Sequence, residues 1–103
     1  MLKRYFKICK LNKECGKFIG DWKYLMSSLE IQNKKLETYT LRNVIREEKD
    51  FNGIICKIQI PFGLLREDLL ELRPYIEESL DCKFECDDNA RNNCVYAKFK
   101  YID

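Results

Sequence analysis

Every second residue from Ile54 to Ile60 is apolar: Ile54, Cys56, Ile58 and Ile60 fall on one side of an extended chain, and Lys57 and Gln59 on the other. Successive side chains of a strand point to opposite faces, so this pattern demands a sheet with one face buried and one wetted. Just upstream, residues 39–48 form a second extended run, and Asn52-Gly53 supplies residues that tolerate positive φ. The two runs predict an antiparallel hairpin. Pro61 cannot donate to a ladder and Gly63 frees the backbone to turn, so the second strand should stop there.

The pattern then changes period. Leu65, Leu69, Leu72, Ile76 and Leu80 recur at steps of four, three, four and four, which predicts a helix about 24 Å long with one apolar stripe. Glu67, Asp68, Glu71, Glu77 and Glu78 lie off that stripe, and Glu67 and Asp68 sit in the first turn, where the helix dipole favours carboxylates. Pro74 interrupts the stripe, so a kink or restart is expected near it. Residues 82–86 and 95–101 read as two closing strands around a turn over residues 87–93, with Val95, Ala97, Phe99 and Tyr101 on one face and Tyr96, Lys98 and Lys100 on the other.

Residues 2–11 alternate loosely, Leu2, Phe6 and Ile8 against Lys3, Tyr5 and Lys7, and are read as a strand. Asn12 is placed to cap a following helix whose apolar residues Cys15, Phe18, Trp22, Leu25 and Leu29 recur at helical steps. Gly16 and Gly20 weaken that helix by about 1 kcal/mol each relative to Ala. It must therefore be held by packing, or the glycines must admit a close backbone neighbour. The polar stretch 32–37 reads as a loop. The expected fold is a single α+β domain over residues 1–103 in βαββαββ order, a mostly antiparallel sheet with two packed helices. A winged-helix arrangement, with residues 87–93 as the wing, is the alternative.

A chain of 103 residues is long enough to bury a core without staples, and its balance of 46% apolar and 35% charged residues is that of a folded domain. Its longest apolar runs are far below the roughly 20 residues needed to cross a bilayer, and the basic N-terminus alternates charges with apolar residues, unlike a signal peptide. A cytoplasmic location is expected. Cys9, Cys15, Cys56, Cys82, Cys86 and Cys94 are accordingly expected as reduced thiols. The closest pair is Cys82-x3-Cys86, no histidine is present, and no metal site is expected.

Catalysis is not expected either. Without histidine, acid and base work would fall to Asp, Glu, Lys, Cys or Tyr, none of which stands in a nucleophile, metal or phosphate motif. The sequence contains no G-x-x-x-x-G-K-[ST], and no cofactor is implied. The charge distribution is more informative than the net charge of +2. Residues 1–49 hold 12 Lys/Arg against 6 Asp/Glu, a balance of +6, whereas residues 50–103 hold 7 against 11, a balance of −4. The first half is suited to an anionic partner, with nucleic acid ahead of a membrane surface. Lys3, Arg4, Tyr5, Lys7, Lys10, Lys13 and Lys17 are candidate DNA-binding residues, the lysines for phosphate. Arg4, Arg42 and Arg46 are suited to bidentate contact with phosphate or base edges. The competing reading is that these cations only keep a small domain soluble. Trp22 and Phe99 are read as core residues rather than stacking platforms.

The pieces from Tyr39-Thr40-Leu41-Arg42-Asn43-Val44-Ile45 through Asp50-Phe51-Asn52-Gly53, Ile54 to Ile60, Pro61-Phe62-Gly63-Leu64 and Glu67-Asp68-Leu69 together resemble the region just before the motor domain of FtsK/SpoIIIE-type DNA translocases, the coupling proteins of conjugative elements. Trp22 fits that family's aromatic-bearing helix before the first strand, and the resemblance covers roughly residues 22–101 without the motor. It implies a DNA-transfer context on a plasmid or other mobile element. The expected role is a non-enzymatic accessory protein that binds double-stranded DNA through its basic N-terminal strand and helix, with a homodimer compatible with that role. The alternative is a protein-interaction module or inhibitor docking on a translocase, a relaxase or a host defence protein.

Overall fold

A computed structural model describes residues 2–47, 52–87 and 93–102, with side chains described from Lys13 onward. The elements are α1 (Leu2–Ser28), β1 (Thr40–Glu47), β2 (Gly53–Gln59), α2 (Arg66–Glu71), α3 (Arg73–Leu80), β3 (Cys82–Cys86) and β4 (Cys94–Tyr101). All four strands join one antiparallel sheet in the order β1-β2-β4-β3. The α+β architecture, the β1–β2 hairpin and the two closing strands are as expected from the sequence.

The first element differs. Residues 2–11 are helical and continue without a break into the helix expected after Asn12. No Pro or Gly precedes Gly16, and the steps of three and four read backward from Cys15 through Leu11 to Ile8. The same short segment satisfies both periods, and continuity with an established helix decides between them, because propagation costs less than a new nucleus. Asn12 is therefore an interior residue rather than a cap. The helix ends in a Schellman motif: Glu30 adopts φ 56°, its N–H donates to the Ser27 carbonyl at 3.1 Å, and Ile31 N–H donates to the Met26 carbonyl at 3.1 Å.

Pro74 divides the second helical stripe as anticipated. It lies in the first turn of α3, where its missing N–H leaves no bond unmade, and Leu72 is both the end of α2 and the N-cap of α3. Leu69 and Ile76 are fully buried, whereas Leu65 stands before α2 in extended conformation and is exposed.

One face of the sheet carries the core. Ile54, Cys56, Ile58, Val95, Ala97, Phe99, Cys82 and Phe84 are buried on it, beneath Phe18, Trp22, Leu25 and Met26 of α1. Phe99 is the hub, with ring centroids 4.8 Å from Phe18, 5.7 Å from Trp22 and 5.1 Å from Phe84. The first two contacts are edge-on, the geometry that aromatic quadrupoles favour. Trp22 Nε1 donates to the Tyr39 carbonyl at 2.8 Å, and Tyr39 donates its hydroxyl to the Leu65 carbonyl at 2.5 Å, tying α1, β1 and the start of α2 together. Phe84 N–H, on the outer edge of β3, donates to the Glu77 carboxylate at 3.0 Å.

Three further expectations are corrected. Gly53 opens β2 opposite Glu47 and Lys100 instead of forming a left-handed turn; among the described residues the positive-φ glycine is Gly63, at φ 93°. Gly16 and Gly20 admit no close neighbour, since a Cβ at either would meet nothing within 4 Å. A winged helix would require β3 and β4 to project as a hairpin. Instead β4 is an interior strand with Val95, Ala97 and Phe99 in the core. The expected 87–93 turn lies largely outside the described residues.

Candidate nucleic-acid interface

The N-terminal cations sit on a helix, which rearranges them. The positions of Lys3, Lys7, Lys10, Lys13 and Lys17 recur at steps of four, three, three and four, one continuous side of α1. Lys13 and Lys17 are exposed; the side chains of Lys3, Arg4, Tyr5, Lys7 and Lys10 lie outside the described residues. On this helical backbone position 4 falls in line with the buried Phe18 and Trp22 rather than with the lysine positions.

Arg42 and Arg46 are four apart on one strand, and regular alternation would put both on the same face. A β-bulge prevents it. The register passes from Arg42 opposite Lys57 to Ile45 opposite Ile55, so Asn43 and Val44 together face Cys56. Asn43 takes φ 54°, a conformation that Asn tolerates better than most residues. One extra residue inverts everything beyond it. Arg42 points to the open face and bonds the Gln59 side chain. Arg46 turns to the helix-covered face, 3.3 Å from Glu14 of α1, with its guanidinium 4.7 Å from the Tyr101 ring centroid. Only 12% of its side chain is accessible, so Arg46 cross-links α1 to the sheet, while Ile45 is left 52% exposed on the opposite side.

The open face is assembled from residues distant in sequence. Cross-strand partners share a face, giving one row of Arg42, Lys57 and Tyr96, a second of Ile45, Ile55, Lys98 and Glu85, and a third of Glu47, Gly53, Lys100 and Lys83. Arg42, Lys57, Lys83, Lys98 and Lys100 stand against Glu47, Glu85 and Asp87, which follows β3 opposite Tyr96, a balance of +2. Tyr96, in the first of these rows, is 55% exposed, with the Lys57 ammonium 5.2 Å from the ring centroid. A shallow hollow beside it is lined by Ile55, Glu85, Asp87, Tyr96 and Lys98. The sequence marks Lys57, Gln59, Tyr96, Lys98 and Lys100 as the wet side of their strands, but only the strand order gathers them into one surface.

The thiols belong to the scaffold. Burial pushes Cys56 up to about 12, with a smaller contribution from Cys86, and burial followed by Glu77 and Asp81 does the same to Cys82. Both stay protonated at neutral pH, which suits packing rather than nucleophilic or metal chemistry. Cys15, Cys56, Cys82, Cys86 and Cys94 are free thiols. Among the described residues no helix is long and apolar enough to cross a membrane.

A solved structure decides what this arrangement is like. The monomer form of the pCW3 conjugation coupling protein TcpA, determined with ATPgS, superposes with a TM-score of 0.66 over 82% of this chain. The chain shares its fold with a segment of a conjugation coupling protein. That segment is 23% of the coupling protein, and sequence identity is 15%, so the likeness is one of fold. It agrees with the resemblance carried by residues 22–101. No family model and no curated protein matches the chain.

Proposed function

We propose that this protein is a non-enzymatic accessory module of conjugative DNA transfer, acting in the cytoplasm and binding duplex DNA through the basic side of α1. The carrying observation is the placement of Lys3, Lys7, Lys10, Lys13 and Lys17 on one side of a helix 27 residues long. From Lys3 to Lys17 the helix rises about 21 Å, enough to reach phosphates on both sides of a groove, and each lysine that meets a phosphate releases counterions. The fold shared with a coupling protein supports the conjugative setting. Residues 1–103 contain no phosphate-cradling P-loop, so the reading assigns them no nucleotide-driven step. Arg46 is assigned to the scaffold and Arg42 to the sheet face. A mobility-shift titration of duplex DNA tests the reading, with wild type shifting DNA at low salt and Lys3→Glu, Lys7→Glu and Lys10→Glu combined abolishing the shift.

A second reading, docking on a protein such as a translocase or relaxase, is favoured by the turn after β2. Phe62 is 91% exposed between Pro61 and Gly63, with Leu65 and Leu36 also exposed, and Asn33 Nδ2 donates to the Phe62 carbonyl at 2.9 Å. An aromatic residue held out on a braced turn is suited to insertion into a partner's pocket. Recovery of a coupling ATPase by wild type but not by Phe62→Asp, after nuclease treatment, would favour this reading over DNA binding.

A further inference from the structure

The uncovered face of the sheet has no role in the reading above, which uses α1 on the other side of the molecule. We propose that this face is a docking surface for a single-stranded oligonucleotide, with Tyr96 as the base-stacking ring and Arg42, Lys57, Lys98 and Lys100 as phosphate-binding cations.

Three observations converge on that class of ligand. Charge complementarity comes first: the five cations Arg42, Lys57, Lys83, Lys98 and Lys100 outnumber the three acids Glu47, Glu85 and Asp87 on this face. Such an excess attracts an anionic polymer. Second, an aromatic side chain is exposed beside Lys57 and Lys98, in the row that also holds Arg42. Tyr96 sits on an interior strand, its backbone fixed on both sides by β2 and by the Asp87 N–H, which donates to the Tyr96 carbonyl at 2.9 Å. A solvent-facing ring on rigid backbone offers a flat surface to a base at little entropic cost.

Third, the geometry favours a single strand over a duplex. The rows of cations are about 7 Å apart along the strands, two residues at the strand rise, and neighbouring strands are about 4.8 Å apart. A flexible single strand can lay successive phosphates across this surface. Bases inside a duplex are stacked on one another and have no free face for Tyr96, whereas unpaired bases do. Ile45 and Ile55, brought to this face by the bulge and the pairing register, give the base edges an apolar floor beside the ring.

The test is fluorescence anisotropy with a labelled oligothymidylate of about 15 nucleotides, run beside an oligouridylate and a duplex of the same length. Tyr96→Ala, and Lys57→Glu combined with Lys98→Glu, should each weaken single-strand binding at least about fivefold. Tyr96→Phe should retain binding. The duplex shift, which depends on α1, should stay near wild type in all three variants. Binding of either single strand in preference to the duplex supports the proposal. All the altered side chains are on the solvent face, and an unchanged melting temperature shows that the variants fold. The proposal is overturned if wild type leaves the single strands free at low salt, if these variants bind them as wild type does, or if single-strand and duplex binding fall together. Loss of duplex binding in the α1 variant alone leaves the single-strand titration readable, so the two readings fail separately.

Discussion

Arg46 and Arg42 should behave oppositely on replacement, although both are arginines on one edge strand. Arg46→Ala removes three contributions at once. The pair with Glu14, at 3.3 Å, is limited to about 1 kcal/mol because the carboxylate is 39% accessible and solvent screens it. The contact with the Tyr101 ring, made by a largely desolvated guanidinium, contributes about 1 kcal/mol more. Loss of the packed methylene stem adds a further ~1 kcal/mol. Together these place the cost near 2–3 kcal/mol, and for a chain of this size that lowers the melting temperature by on the order of 10–20 °C. Arg42→Ala, on an exposed face with only the Gln59 side chain as its described partner, should stay within about 0.5 kcal/mol of wild type. Urea denaturation of both variants provides the comparison, with an unchanged m-value confirming a change in stability alone. Arg46→Ala as stable as wild type, or Arg42→Ala equally costly, would refute the bulge-driven division between the two side chains.

Three other perturbations probe the scaffold. Gly16→Ala and Gly20→Ala should each stabilise by about 0.5–1 kcal/mol, since the added methyl meets nothing within 4 Å and the helix gains propensity; thermal melts that fall instead would show hidden crowding. Trp22→Phe removes a buried donor from the Tyr39 carbonyl and leaves a gap beside Phe99, a loss of about 2–4 kcal/mol measurable by urea titration, whereas a loss below ~0.5 kcal/mol would remove Trp22 from the core account. In alkali the folded chain keeps protons that the unfolded chain releases. Cys56 and Cys82 rise from 9.0 to about 12, and burial, then Asp68 and Glu67, raise Tyr39 from 10.0 to about 12. Their contribution is therefore complete below pH 9 and lost as pH climbs toward 12, so the urea midpoint should fall across that window, and a flat profile would contradict the burial of these groups.

Much of the architecture is written in local periodicity. Steps of three and four from Cys15 to Leu29, alternation from Ile54 to Ile60, and Pro74 in an otherwise helical stripe specify α1's second half, β2 and the α2–α3 restart. The first turns of α1 are harder, because Leu2, Phe6 and Ile8 suit either period and the deciding fact is continuity with a helix already formed. The bulge at Asn43 and Val44 leaves no comparable signal, since Asn in a strand near a turn has several explanations. Its effect on the site is large: it sends Arg46 under α1 and brings Ile45 to the surface. The open face is also nonlocal. Residues 57, 96, 98 and 83 meet only because β4 inserts between β2 and β3, an order that strand patterning alone does not determine.

DNA binding by α1 is the central claim, and a salt series of duplex titrations addresses it most directly. If the five lysines on that side of α1, Lys3, Lys7, Lys10, Lys13 and Lys17, meet phosphates, the logarithm of the binding constant should fall with the logarithm of salt at a slope of about −4.5. The combined Lys3→Glu, Lys7→Glu, Lys10→Glu variant should then leave the duplex free at a salt concentration where wild type is saturated. No complex with wild type at low salt, or a complex whose affinity is indifferent to salt and to those three changes, would contradict it.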